Sequence, residues 1–141
     1  RTREGYVTEY GGSDYVPLQD RFYAGGSNTV RGYDTRDIGP KVREFGIIGD
    51  WFSIGGNYRW ITNVEMKHRL TDTLRLYTFV DAGGVWEDSI DLGEMRYSAG
   101  LGLGIEVPRL GPVRFDYAYP LNPDEYQSSS GRFHFTTGFR F

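Results

Sequence analysis

The 141-residue sequence predicts an all-β fold, and three observations carry that prediction. Aromatic residues make up 16% of the chain, with Tyr 11, Phe 9 and Trp 3, a composition that suits the pleated, half-buried surface of strands. Gly 20 accompanies them, which favours tight turns and disfavours helices. From Asn57 onward apolar and polar residues alternate with period two, the pattern of strands whose two faces meet different surroundings. Lys+Arg 16 against Asp+Glu 19 leaves a formal net charge of −3, so there is no basic footprint for a nucleic acid. Cysteine is absent, which excludes disulfides, thiolate metal sites and cysteine nucleophiles. The stretch Tyr97 to Ile105 is the longest uncharged, apolar-leaning run, far short of the ~18 residues of a spanning helix. Any membrane crossing would be made by strands.

Residues 1–10 alternate weakly through Tyr6, Thr8 and Tyr10, as the end of a preceding strand would. Residues 11–56 carry repeated turn signals, Gly11-Gly12, Gly25-Gly26, Gly39-Pro40 and Gly55-Gly56, and predict one long loop. A loop beyond ~12–15 residues is usually functional or disordered. Phe22, Phe45, Ile47, Ile48 and Trp51 argue that this one packs against a surface.

Residues 57–141 predict five strands. In the first, Tyr58, Trp60, Thr62, Val64, Met66 and His68 oppose Arg59, Ile61, Asn63, Glu65, Lys67 and Arg69. After the turn at 70–73, Leu74, Leu76, Thr78, Val80 and Ala82 oppose Arg75, Tyr77, Phe79, Asp81 and Gly83. From Met95 to Val107, Tyr97, Ala99, Leu101, Leu103, Ile105 and Val107 oppose Ser98, Gly100, Gly102, Gly104 and Glu106. The small residues leave room for bulky neighbours on the polar side. Val113, Phe115, Tyr117 and Tyr119 then oppose Arg114, Asp116 and Ala118, and Phe133, Phe135, Thr137, Phe139 and Phe141 oppose His134, Thr136, Gly138 and Arg140.

Such alternation fits two architectures, a soluble sandwich with the apolar face inward and an outer-membrane barrel with that face toward lipid. Aromatics at the ends of the apolar face, among them Tyr58, Trp60, Tyr97, Tyr119, Phe139 and Phe141, suit an interfacial girdle. Five strands do not close the smallest membrane barrel, which has about eight.

The long loop separates these readings. Phe22-Tyr23-Ala24-Gly25-Gly26 is followed by Val30-Arg31-Gly32-Tyr33 and Gly39-Pro40. This arrangement resembles the signature loop of the BamA/TamA superfamily of outer-membrane insertases and translocators. The resemblance continues through Asn63-Val64-Glu65, 79–86, 98–102, 110–118 and a last strand ending in Phe141. It implies an antiparallel transmembrane β-barrel segment, the C-terminal strands of a sixteen-stranded barrel, with the long loop inserted in the lumen. In relatives such strands follow earlier barrel strands and POTRA repeats, neither of which this sequence carries. The resemblance also implies that Arg31 docks against acidic and aromatic residues of the inner wall, here Glu65, Asp81 and Phe79, with Val30, Gly32 and Tyr33 beside it. All three wall positions fall on the polar face assigned by periodicity.

The terminal strand, with Phe135, Gly138, Phe139 and Phe141, resembles the C-terminal signal by which outer-membrane barrels are read for assembly, and the seam at which insertases open. The implied function is insertion and folding of β-barrel proteins in the outer membrane of a Gram-negative-type bacterium or a derived organelle. Implied partners are unfolded outer-membrane proteins, lipids, and periplasmic or lipoprotein assembly factors, and a segment with unpaired edges is expected to self-associate. The alternatives are a two-partner secretion transporter, which shares the loop motif, and a soluble all-β binding module. No enzyme constellation, cofactor or metal is expected. Gly100-x-Gly102-x-Gly104 sits mid-strand without the context of a dinucleotide site, the two histidines fall on different strands, and Glu87-Asp88 and Asp124-Glu125 read as solvated turn residues.

Overall fold

A computed structural model describes residues 2–7, 16–43 and 50–137. The described residues form eight strands: β1 (Thr2–Tyr6), β2 (Lys41–Arg43), β3 (Trp51–Ser53), β4 (Tyr58–Arg69), β5 (Leu74–Trp86), β6 (Arg96–Val107), β7 (Gly111–Pro120) and β8 (Arg132–Thr137). Six of them make one antiparallel sheet in the order β1-β4-β5-β6-β7-β8, and β2 pairs with β3. The five strands predicted after residue 57 are β4 to β8, and β1 pairs with β4 as Thr2↔Thr62 through Tyr6↔Tyr58. Gly138, Phe139 and Phe141 lie outside the described residues.

Two elements depart from the sequence reading. The predicted loop contains the β2–β3 hairpin, whose strands of 3 residues are too short for a period of two to register. β5 continues past its expected end at Gly83 to Trp86. Gly83 and Gly84 interrupt the alternation in sequence, but the missing Cβ atoms are filled by neighbours: a Cβ would sit 2.7 Å from Val30 Cγ2 at Gly83 and 2.3 Å from Trp86 Cζ2 at Gly84.

β4 to β7 run for 12, 13, 12 and 10 residues, about twice the usual strand of a globular protein and enough to cross a bilayer at a tilt. The connections are sorted by end. Residues 70–73 and 108–110 make short turns at one end, whereas 87–95, 121–131 and the described part of the loop before β4 lie at the other. Outer-membrane barrels place short turns at the periplasmic rim and long loops outside.

The two faces are inverted relative to a soluble sheet. The apolar face is bare: Val64 is 60% exposed, Leu101 57% and Phe133 80%, while Phe115 and Phe135 stack on each other at 5.1 Å. The polar face is the covered one. Loop residues Ala24, Val30, Tyr33 and Ile38 pack on Ile61 of β4 and Val85 of β5, forming a core on the inner wall at the long-loop end. The soluble reading requires the opposite arrangement, with the apolar face inside. Leu101 pairs in register with Thr78 and Tyr117 at mid-strand. Leu101→Arg in the full chain is therefore expected to lower stability in lipid by about 2–4 kcal/mol, the depth-dependent cost of a cation on a lipid-facing wall. Lys67→Ala on the inner face should stay within about 0.5 kcal/mol, and urea titrations in vesicles compare the two.

Candidate functional site

The loop reaches the inner wall from the long-loop end and is pinned by short backbone bridges. Phe22 exchanges hydrogen bonds with Gly56 at 2.8 and 3.0 Å, and Ile38 N–H donates to Ala24 O at 3.0 Å. Phe22 also lies under Arg59 of β4, 4.7 Å from ring centroid to guanidinium. The turn between these bridges requires glycine at Gly25, which has φ +107° and where a Cβ would sit 2.2 Å from Asp34 O. These contacts present residues 30–33 to the wall.

Each residue of the tetrad meets the wall differently. Val30 is fully buried against the bare backbone of Gly83. Arg31 forms a bidentate pair with Asp81, Nε to Oδ2 at 2.7 Å and Nη2 to Oδ1 at 2.8 Å, and its own backbone N–H donates to Oδ2 at 3.1 Å. Its Nη1 donates to Glu65 Oε2 at 3.1 Å and to Asp116 Oδ2 at 3.5 Å. The guanidinium stacks on Phe79, 3.4 Å from the ring centroid. Gly32 adopts φ +92°, and a Cβ there would lie 3.2 Å from Pro120 N on β7. Its N–H donates to His134 Nε2 at 3.2 Å. Tyr33, 1% exposed, points its hydroxyl at Tyr97 O (2.9 Å) and Asn122 Oδ1 (3.2 Å). The structure thus brings Arg31, Glu65, Asp81 and Phe79 together, with Val30, Gly32 and Tyr33 adjoining, while Phe135 faces outward on β8.

Charge explains the arrangement. Asp81 is fully buried and accepts four hydrogen bonds, three from Arg31 and one from Asn63 Nδ2 at 2.9 Å, which fills the capacity of a carboxylate. Burial by itself lowers the Arg31 pKa, but hydrogen bonding and charge from Asp81, with Glu65 and Asp116, more than reverse this and hold it above the ordinary arginine value. Burial also pushes the Tyr33 phenol above its ordinary value, so it stays a neutral donor at physiological pH.

Four wall residues complete the site without having been assigned a role from sequence. Arg114 donates to Asp116 Oδ1 (2.7 Å) and to both Glu65 oxygens (3.0 and 2.7 Å), and stacks on Tyr77 at 4.0 Å. Two guanidiniums and three carboxylates therefore interlock over two rings of β5. Asn63 Nδ2 also donates to Thr29 O at 2.7 Å, and Asp116 and His134 add β7 and β8 to the contact. The inward period-two positions were the available signal for all four. The β6 glycines leave the needed space: a Cβ would sit 2.3 Å from Phe79 Cζ at Gly100 and 2.0 Å from Asp116 Oδ1 at Gly102. The histidines lie on opposite faces, His68 outward and His134 inward. Two turn carboxylates read as solvated are ion-paired, Glu87 with Arg21 at 3.1 Å and Asp124 with Arg96.

A sheet with a lipid-type face, a polar inner wall and a loop locked to that wall defines a segment of an outer-membrane β-barrel. A family model described as the Omp85 superfamily domain matches residues 1–141, and the chain belongs to that superfamily. It is 33% identical to the outer membrane protein assembly factor BamA of Neisseria meningitidis serogroup B, over 97% of this chain and 21% of that protein. It is 36% identical to BamA of Nitratidesulfovibrio vulgaris, over 98% of this chain and 17% of that protein. The SAM50-like protein CG7639 of Drosophila melanogaster is 25% identical over 99% of this chain and 31% of its own length. Crystalline BamA from Haemophilus ducreyi lacking POTRA domains 1–3 superposes with a TM-score of 0.77 at 26% identity, over 95% of this chain and 29% of that one. The chain spans about a fifth of the BamA relatives' length.

Removing one partner of a buried ion pair strands the other. Arg31→Ala is expected to cost about 3–5 kcal/mol. Arg31→Lys should also be destabilising, because an ammonium cannot reproduce the bidentate fork. Denaturant unfolding, with protease cleavage within 16–43 as the reporter of loop release, measures both.

Proposed function

We propose that this chain is the loop-bearing part of a barrel that inserts and folds β-barrel proteins into the outer membrane. The observation that carries the reading is the tetrad docked across the inner wall, reaching residues of β4, β5, β6, β7 and β8 from one loop. A loop so placed holds the inner wall in one register while the wall's edge engages another strand. β8 is an edge of the sheet among the described residues, and an unpaired edge recruits an incoming strand by main-chain hydrogen bonding, with alternate side chains giving specificity. The names of the bacterial relatives, outer membrane protein assembly factors, support this reading.

The activity is non-enzymatic. No bond is made or broken, no cofactor is required, and the free energy comes from the folding of the substrate in lipid. Unfolded outer-membrane proteins are the substrates, outer-membrane lipids the solvent, and periplasmic or lipoprotein factors the assembly partners.

Arg31→Glu in the full chain places a fourth carboxylate among Glu65, Asp81 and Asp116. It is expected to abolish complementation of a strain depleted of its insertase and to leave outer-membrane proteins unfolded in the periplasm. Undiminished growth and assembly would overturn the reading. Loss of export of a single passenger, with general assembly intact, would transfer it to a secretion transporter.

A further inference from the structure

We propose that His134 is a positioning residue that clasps β8 to the docked loop, and that the clasp releases on protonation. The observation is the hydrogen bond from Gly32 N–H to His134 Nε2 at 3.2 Å. A backbone amide is a donor only, so Nε2 must carry its lone pair and the ring must be neutral with its proton on Nδ1. An imidazolium has no acceptor to offer, and Gly32 N–H would then face an N–H.

The carboxylates nearest the ring are already engaged by guanidinium groups. On β7, Asp116 lies directly across the ladder from His134, but it already accepts from Arg114 at 2.7 Å and Arg31 at 3.5 Å. Asp81 of β5 is filled by Arg31 and Asn63. Cations stand on two sides, Arg31 from the loop and Arg132 from β8. Arg132 is itself engaged with the loop's Asp34 at 2.6 Å, the second tie between the two elements. A cavity of about 370 Å³, lined by Tyr33, Asp34, Arg132, Phe133 and His134 among others, opens beside the ring and admits water and protons.

The sign of the effect follows. The clasped state binds no proton at Nε2, whereas a released ring is free to take one there. The ratio of released to clasped forms therefore rises as pH falls, by at most about tenfold per unit for the one proton involved. β8 would then keep its ladder with β7 while losing a tie to the loop. The inference rests on the docked-loop reading of the site, and the test separates the two.

Spin labels at Ser27 in the loop and Thr137 on β8, in the full chain in lipid vesicles, report the loop-to-strand distance. Between about pH 8 and about pH 5.5 the distribution should broaden, the released population growing as pH falls by at most about tenfold per unit while it is small. His134→Gln supplies an amide oxygen that accepts without titrating, and should stay narrow throughout. His134→Leu should already be broad at the alkaline end. A Gln variant that broadens like the parent, or a Leu variant as narrow as the parent at the alkaline end, overturns the clasp. Arg31→Ala should displace the loop at every pH, and an unchanged distance in that variant overturns the docked-loop reading instead.

Discussion

A guanidinium taken out of water needs its charge answered at the place where it is buried, and that requirement organises this molecule. The carboxylates that answer Arg31 come from β4, β5 and β7, on residues far apart in sequence: Glu65, Asp81 and Asp116. They converge only if Asn63↔Asp81, Glu65↔Phe79 and Gly102↔Asp116 are all in register. A slip of one residue in a strand turns every side chain to the other face, and would carry Asp81 to the lipid side while leaving Arg31 unpaired. The ion cluster is therefore best understood as a device for uniqueness. The net contribution of buried pairs to stability is small once desolvation is counted, but the cost of a mismatch is large.

The same cluster explains why the inner wall is built from extremes of size. Phe79 and Tyr77 lie flat beneath the two guanidiniums, and flat rings need bare neighbours. β6 provides them at Gly100 and Gly104, where a Cβ would come within 2.3 Å of Phe79 and 2.8 Å of Tyr77. Apolar burial is then supplied by the loop rather than by a second sheet, through Val30 and Ile38 on Ile61 and Val85. The outer face is left free of that task and keeps its aliphatic and aromatic residues for lipid.

The strands from Asn57 onward and the sorting of their residues onto two faces were legible in the sequence, because a strand crossing between lipid and a polar interior imposes period two on every residue. Glu65, Asp81 and Phe79 as partners of Arg31 were implied by the resemblance of the loop, with periodicity placing all three on one face. What was hidden depends on geometry between strands. Arg114, Asp116, Asn63 and His134 could be assigned to the inner face, but periodicity gives no depth along the strand, and depth decides which polar residues surround the tetrad. The end of β5 was missed because Gly83 and Gly84 carry no pattern, and their space is filled by Val30 of the loop and by Trp86 at the strand's own end. The β2–β3 hairpin was too short to show a period. The pairing of the turn residues Glu87 and Asp124 was hidden because their partners, Arg21 and Arg96, lie on other elements.

The ties between loop and wall also differ in kind from strand to strand, and the difference has a direction. At β5 the loop is held by a carboxylate with four donors, no exposure and full charge assistance, the strong class of hydrogen bond. At β7 the contact to Asp116 is longer and shared with Arg114. At β8 the ties are one neutral hydrogen bond to a histidine and one ion pair, Arg132–Asp34, whose side chains are 29% and 57% exposed; exposed pairs of this kind contribute about 0–1 kcal/mol. Restraint therefore falls from the middle of the sheet toward its β8 edge. A wall that is stiff where it holds its loop and loose where its ladder ends can keep one register and still exchange partners at the edge. Those two properties conflict in a uniformly stable sheet, and the graded chemistry of the docked loop separates them in space.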